Sequence, residues 1–535
     1  MRLFSFFLLV AALPSAAQQA PQPGTCTLGV AQNDLDVGRV FARVFNTGSL
    51  FYGNQTTNGD GYLVPRATGR SPIFASGLWI GGRVGGQLRV AGARYNDFTF
   101  WPGPLGSDGR PVDPSSCSAY DRIYAVSRAD IAAYAATGTA TPDLAEWPAA
   151  LGAPVVNGDG VPGNYNLAGR DRPAIRGDEG LWWVMNDVGN EHTALATPPL
   201  GVEVRVLAFA FDRPDALGDA TFYTYTIVNK SGADIADTYV SVFSDPDVGD
   251  FTDDYVGSDP ATGLAFAYNA YNADAIYGVP PAVGYDVFQG PIVPDGPDAG
   301  TDPDTLSASG VSYFKNEPNG PTTDPNDGVE IYNYQQGLWA DGTPMRAFGD
   351  GYGAQNGAPI TRFAFSGDPV TRQLWSERNP VGTAAANGPG DRRFAIHTGP
   401  FTLASGAAQD VVFGIVFAQG TSNLTSITAL RAADALAQAT FDNGFVVASE
   451  GGPADARTLA AAPNPFTTEA RVAVGETARS VRAVLFDVLG RQVAVVHDGP
   501  LSGELRVSGA SLVPGVYLLR VQTADGERSV RLVRR

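Results

Sequence analysis

GVEVRVLAFAFDRPDALGDATFYTYTIVNKSGADIADTYVSVFSD, residues 201–245, carries three runs of β-branched and aromatic residues separated by clusters of Asp, Gly, Pro and Asn. In the first two runs apolar residues recur at every second position or fill both faces, which is the period of a strand and not of a helix. The spacing predicts a β-meander, three antiparallel neighbours joined by short turns. GLAFAYNAY (263–271), RRFAIHTGPFTL (392–403) and DVVFGIVFAQG (410–420) continue the pattern. A helix over Asn423 to Phe441 closes the region, with Leu424, Ile427, Leu430, Leu436 and Phe441 on an approximate 3.6-residue stripe.

Upstream, ARVFNTGSLFYGN (42–54) and SPIFASGLWIGGRVGGQLRVAGARYNDF (71–98) read as short aromatic strands between Gly-rich turns. One brief helix is expected at SRADIAAYAATG (127–138), with Ser127 as N-cap, Asp130 completing a capping box and Gly138 ending it. The 64 Gly and 39 Pro favour many short strands over long helices, and a hydrophobic content of 44% is enough for a substantial core. The fold class is therefore mainly β and multi-domain, a passenger rich in β-sandwich with few helices. Its expected parts are a loop-rich β region over 18–200 and a β-sandwich region over 201–448 that includes the closing helix.

Residues 1–17, MRLFSFFLLVAALPSAA, have the charge, the short apolar run and the small residues of a signal peptide. No later segment reaches the length of a membrane span, so the mature chain is expected to have none. Cys26 and Cys117 are the two cysteines, and in an exported protein an even pair suggests one disulfide. The net charge of −19 argues against nucleic acid or an anionic membrane as partner, because phosphate binding needs clustered cations.

After a linker over 449–458, the chain from 459 to 535 alternates strands and marked turns. ARVAV (470–474), VRAVLFDVLGRQVAVV (481–496), LRVSG (505–509), GVYLLRVQ (515–522) and RSVRLV (528–533) suit a small immunoglobulin-like two-sheet sandwich. PNPF (463–466), FDVLGRQV (486–493), LVPGVYLLRV (512–521) and the basic ending RLVRR resemble, in order and spacing, the type A sorting domain of the type IX secretion system. That resemblance implies export across the outer membrane, with the secretion machinery engaged through 459–535, and a secreted or cell-surface destination. The passenger also resembles a group of uncharacterised exported proteins with that sorting domain. The resemblance lies in FWPGPL (100–105), GDEGLWWVMNDVG (177–189), FYTYTIVNKSG (222–232) and DPDVGDFTDDYVGSD (245–259). It implies an architecture and a location, but no reaction.

SDPDVGDFTDDYVGSD (244–259) places six carboxylates in sixteen positions with no basic residue among them. Calcium takes six to eight oxygen ligands, and Asp245, Asp247, Asp253, Asp254 and Asp259, with a turn at Gly249, offer a set of them. A solvated acidic loop and a carboxylate active site are the other readings. A second oxygen cluster, Asn157, Asp159 and Asn164 with Asp171 nearby, reads as turn chemistry or a second metal site. For an enzyme, Asp178, Glu179, Asp187, Glu191 and His192 around Trp182 and Trp183 are the best ground, since a glycosidase needs two carboxylates and a sugar face can stack on indole. No metalloprotease, serine-hydrolase, P-loop or dinucleotide motif is present. The residues favour an exported, non-catalytic binding or structural protein stabilised by calcium, with surface glycans as candidate partners. The alternative is a secreted polysaccharide hydrolase, which would need Trp182 and Trp183 in an open groove.

Overall fold

A computed structural model describes residues 23–53, 61–293, 304–445 and 460–534, with short exceptions at 114, 116, 162, 319, 354–356 and 382–386 and at turns of the last segment. The signal segment 1–17, the linker 449–458, and Pro463 to Pro465, Val488 to Arg491 and Val513-Pro514 of the sorting-domain motifs lie outside the described residues. The chain divides into two compact units that meet in sequence at Ala439 and Thr440.

The first unit is built on two antiparallel sheets. Its main strands, in chain order, are β1 (Gln32–Val37), β2 (Val40–Phe45), β3 (Ile73–Val84), β4 (Gln87–Arg94), β5 (Glu179–Asn186), β6 (Val202–Ala210), β7 (Thr221–Asn229), β8 (Ile235–Pro246), β9 (Asp254–Asp259), β10 (Leu264–Asn269), β11 (Ala282–Gln289), β12 (Ala308–Lys315), β13 (Arg392–Leu403) and β14 (Ala408–Ala418). One sheet runs β1-β2, the short strand Ser49–Leu50, then β3-β8-β13-β12, with β4 paired to β3. The other runs β9-β10-β11-β14-β7-β6-β5 and ends on the short strand Trp101–Pro102. Trp79, Val242, Phe243 and Ile396 from the first sheet share one core with Trp183, Val206, Tyr223, Tyr285 and Phe413 from the second. Tyr285 meets Phe394 edge-on across the interface, ring centroids 5.3 Å apart.

The fold is mainly β, as the periodicity predicts, but one expectation about its organisation is corrected. The three runs of 201–245 do not form a meander. β6 and β7 pair with each other, whereas β8 crosses to the opposite sheet, between β3 and β13. Most of β8 is buried on both faces, so it needs two neighbours and two covered sides. The first sheet supplies both, because helix α2 (Gly328–Gln335) lies against it. Gly81 in β3 makes that approach possible, since a Cβ there would stand 2.6 Å from a ring carbon of Tyr332. Both sheets of the first unit draw strands from either side of residue 201.

Helix α1 (Arg128–Thr137) has the expected ends: Ser127 and Asp130 form a capping box and Gly138 closes the helix with φ of +75°. Helix α3 covers Asn423–Asp442. It buries Ile427, Leu430, Ala433 and Ala437, while Leu436 of the expected stripe is exposed. Cys26 and Cys117 are bonded, with Cα atoms 5.2 Å apart, and pack with Trp101. Tying residues 91 apart in sequence stabilises the fold by about 4–5 kcal/mol in the chain-entropy description.

The second unit has a three-stranded sheet (Ala460–Ala462, Glu469–Ala473, Glu504–Ser508) and a four-stranded one (Gln492–Leu501, Ala478–Asp487, Gly515–Thr523, Gly526–Arg534). Phe466, Val472, Leu485, Leu505, Leu519 and Leu532 are among the residues that fill its core.

Candidate metal centre

The carboxylates that converge sit where β8 and β13 run out. These strands pair antiparallel, with Ser244 opposite Phe394 as the final pair. Continued three residues, that register sets Asp247 opposite Asp391. Asp245, Asp247 and Asp391 each offer an oxygen, and these oxygens all lie within 4.8 Å of one another. Asp245 is 2% exposed and forms the floor, while Asp247 and Asp391 are half-buried. Asp254, the first residue of β9, is 0% exposed and near enough to feel the charge of Asp247 and Asp391. Gly390 N–H donates to its backbone carbonyl at 3.1 Å, which ties the segment bearing Asp391 to β9. Gly249 turns the chain between Asp247 and Asp254 with φ of +76°, and a Cβ there would collide with the Asp274 carboxylate at 2.2 Å.

Arg393 is the protein's own cation here. Its Nε lies 3.2 Å from Asp245 Oδ1 and its Nη1 2.7 Å from Asp391 Oδ1. Tyr95 accepts from Arg393 Nε at 2.9 Å and donates to Asp245 Oδ2 at 2.8 Å. One guanidinium leaves most of the negative charge of Asp245, Asp247, Asp254 and Asp391 unanswered. Burial pushes the Asp245 carboxyl up to about 8 against the pull of Arg393. Burial, with Asp391 beside it, pushes Asp247 up to about 6. Asp254 is raised well above the usual carboxylate range by burial and then by Asp247, Asp253 and Asp391. Asp254 Oδ2 accepts from Val248 N–H at 3.2 Å, but its Oδ1 has no hydrogen-bond partner. Three converging carboxylates, with a buried and orphaned carboxylate oxygen on the neighbouring Asp254, fit a hard divalent cation, which takes oxygen ligands from several acidic side chains at once.

Two of the five expected ligands, Asp245 and Asp247, are gathered here, and Asp254 is a buried neighbour whose carboxyl feels Asp247 and Asp391. Asp253 ends the short 3-10 turn Phe251–Asp253 before β9 and accepts from Asn269 Nδ2. Asp259 lies at the far end of β9, 3.5 Å from Arg431 Nε. Asp391 was not among the expected ligands: it stands 144 positions beyond Asp247 in sequence, and only the strand register brings them together.

Among the residues of the hydrolase alternative, Asp187 Oδ2 and His192 Nε2 lie 3.8 Å apart with both side chains wholly buried. Asp178 Oδ2 accepts from Asp212 N–H at 2.8 Å, and Glu179 Oε2 accepts from Asp36 N–H at 2.9 Å. Asp187 is buried and holds the turn into β6 by accepting from Leu200, Gly201 and Val202 N–H. Glu191 is exposed, and His192 is buried between the Val90 and Asp187 carbonyls. Trp182 and Trp183 are each 1% exposed. Trp183 belongs to the core, and Trp182 lines a cavity of about 210 Å³ with Arg176, Arg205, Thr224 and Asp410. Neither indole presents a face on which a sugar ring could lie.

In the cluster at 157–171 the two aspartates are occupied by turn contacts, while Asn164 Oδ1 has no hydrogen-bond partner. Asp159 accepts from Asn164 and Asn166 amides and from Val161 N–H, while Asp171 accepts from Gly158 and Asn166 N–H. These are turn contacts, and they leave both aspartates answered without an ion. His397, buried between the Ser241 and Ser312 hydroxyls, is held neutral by burial, which lowers its pKa to about 3.

No family model matches the chain, and no curated protein does. Among solved structures, a polysaccharide lyase is similar at 10% identity with a TM-score of 0.20. The match covers 62% of this chain and 34% of the lyase. No functional inference rests on it. Among the described residues, no helix is long and apolar enough to cross a membrane.

Proposed function

We propose that the chain is a cargo of the type IX secretion system, delivered to the cell surface or the medium as a non-catalytic binding or structural β-sandwich protein with calcium as a folding cofactor. Asp245, Asp247, Asp254 and Asp391 would hold the ion. The observation that carries the metal reading is the convergence of Asp245, Asp247 and Asp391, whose oxygens lie within 4.8 Å of one another, beside Asp254, whose buried Oδ1 has no hydrogen-bond partner. Calcium rather than magnesium suits a site offering several carboxylates at one floor, since magnesium keeps most of its waters.

Three features support the export route. The apolar leader at 1–17 and the ordered motifs from PNPF to RLVRR are those of an exported cargo. The Cys26–Cys117 bond suits an oxidising compartment. Residues from 460 onward form a compact unit with a core of its own. Deleting 459–535 tests the route: the truncated protein should fold, keep its disulfide and accumulate in the periplasm. Its normal delivery outside the cell would refute the assignment. The metal is tested separately, by calcium-dependent melting of the purified protein.

A further inference from the structure

β5, β6, β7 and β14 lie side by side in the second sheet, and the residues that alternate with the core members Trp183, Val206, Tyr223 and Phe413 stand on its outer face. Strand register sorts those residues into two rows. Trp182 pairs with Leu207 and Leu207 with Thr224, while Arg205 pairs with Thr226 and Thr226 with Asp410. The first row is apolar with one hydroxyl. The second runs cation, hydroxyl, carboxylate across three strands, about 10 Å of sheet.

The segment before β5 roofs these rows. Trp147 Nε1 donates to the Pro154 carbonyl at 3.0 Å and Ala174 N–H to the same oxygen at 2.9 Å, which pins the two arms of the roof together. Pro154, Ala174 and Arg176 of the roof line a cavity of about 210 Å³ with both rows of the sheet. Its floor is deep, with Trp182 1%, Leu207 6% and Thr224 7% exposed. Gly152 and Asp410 are exposed and mark the mouth. Pockets for drug-sized ligands begin at about 300 Å³, so the occupant of this one is smaller.

Three polar atoms of the lining have capacity to spare among the described residues. Thr224 Oγ1 is buried with no hydrogen-bond partner. Arg205 commits Nε and Nη2 to Glu203 Oε1 at 2.8 and 2.7 Å, and its Nη1 lies against Gly152, where a Cβ would stand 2.4 Å from it. Asp410 accepts from the Thr226 hydroxyl at 2.5 Å through Oδ1, which leaves Oδ2. Arg176 brings a second guanidinium, near enough to feel the charge of Asp410. Arg176, Arg205, Glu203 and Asp410 sum to zero, yet both signs are displayed to the cavity. A simple anion would meet Asp410, and a simple amine would meet two guanidiniums. A sugar ring would need an indole face that Trp182 does not present. A small zwitterion with an apolar side chain meets none of these objections.

We propose that this cavity binds one free α-amino acid with an aliphatic side chain, its carboxylate held by Arg205 and Thr224, its ammonium by Asp410 and its side chain over Trp182 and Leu207. The site uses neither the metal centre nor the export route.

Calorimetric titration of the full-length protein with L-leucine, isocaproate, isoamylamine and glucose tests this. Leucine alone carries both charges, so it should bind, and the two half-molecules should bind about tenfold more weakly or worse, the difference that one charged hydrogen bond makes. Asp410→Asn, at the exposed mouth, should lower leucine affinity about tenfold and leave the melting temperature unchanged. Thr224→Val keeps the shape of the side chain and removes the orphaned hydroxyl, so it should weaken leucine binding without destabilising the fold. No binding of leucine, equal affinity for isocaproate or for isoamylamine, tighter binding of glucose, or full leucine affinity in Asp410→Asn would each overturn the proposal.

Discussion

Asp187 and Asp254 are both 0% exposed, and both are pushed above the usual carboxylate range by burial. Asp187 receives three backbone N–H groups from Leu200, Gly201 and Val202, so the chain folds around its charge. Asp254 receives one, from Val248, its other oxygen has no partner, and Asp247 and Asp391 add like charge to it. Equal burial thus conceals opposite situations. The first aspartate is a completed hydrogen-bond knot, and the second is an unmet demand for positive charge. Burial alone does not single out a functional carboxylate, whereas burial with an unanswered oxygen does.

Replacing Asp187 by Ala should have the largest effect. It strands three buried donors, each costing about 1–3 kcal/mol when unsatisfied, so a loss of about 3 kcal/mol or more is expected. The loss should be the same with calcium or with chelator, as read by denaturant unfolding. A calcium-dependent loss would erase the distinction between the two aspartates.

Asp254→Asn should act in the opposite sense. Asn keeps an acceptor for Val248 N–H and removes one like charge beside Asp247 and Asp391. In chelator the variant should therefore be as stable as the wild type or more so, by about 1–2 kcal/mol. In calcium it should be the less stable of the two. Destabilisation of similar size in both conditions would make Asp254 a second structural knot.

The smallest effect is the pH dependence of the metal increment. Asp247 and Asp245 have folded values of about 6 and about 8, above the unfolded range. In metal-free protein their protonated forms add stability at low pH, which is lost as pH rises through those values. Calcium binds only the ionised forms, so the melting shift it produces should grow from pH 6 to pH 8. A shift that shrinks over that window would contradict the site.

Much of the architecture can be read in the sequence because period-two runs such as residues 202–210 and 221–229 leave little choice of element. The destination of β8 cannot be read that way, since a run buried on both faces does not say which sheet it joins. α2 escaped because GVEIYNYQ is rich in β-branched and aromatic residues, although Asp327 with Glu330 three residues on was an available N-terminal signal. At the metal centre, spacing within 244–259 could nominate Asp245 and Asp247 but not sort them from Asp253, Asp254 and Asp259, which depends on the turn that carries Asp253 and on where β9 starts and ends. Asp391 needed the pairing of β8 with β13.

The central claim is most directly tested by melting the full-length protein and its Asp391→Asn variant in chelator and across a calcium titration, with sodium at matched ionic strength as control. At calcium one hundred times its dissociation constant the wild type should gain about 2.7 kcal/mol, a melting shift of a few degrees that sodium does not reproduce, and the variant should lose most of it. If calcium leaves the wild type unmoved, or if Asp391→Asn responds in full, Arg393 alone balances the cluster and no ion belongs there.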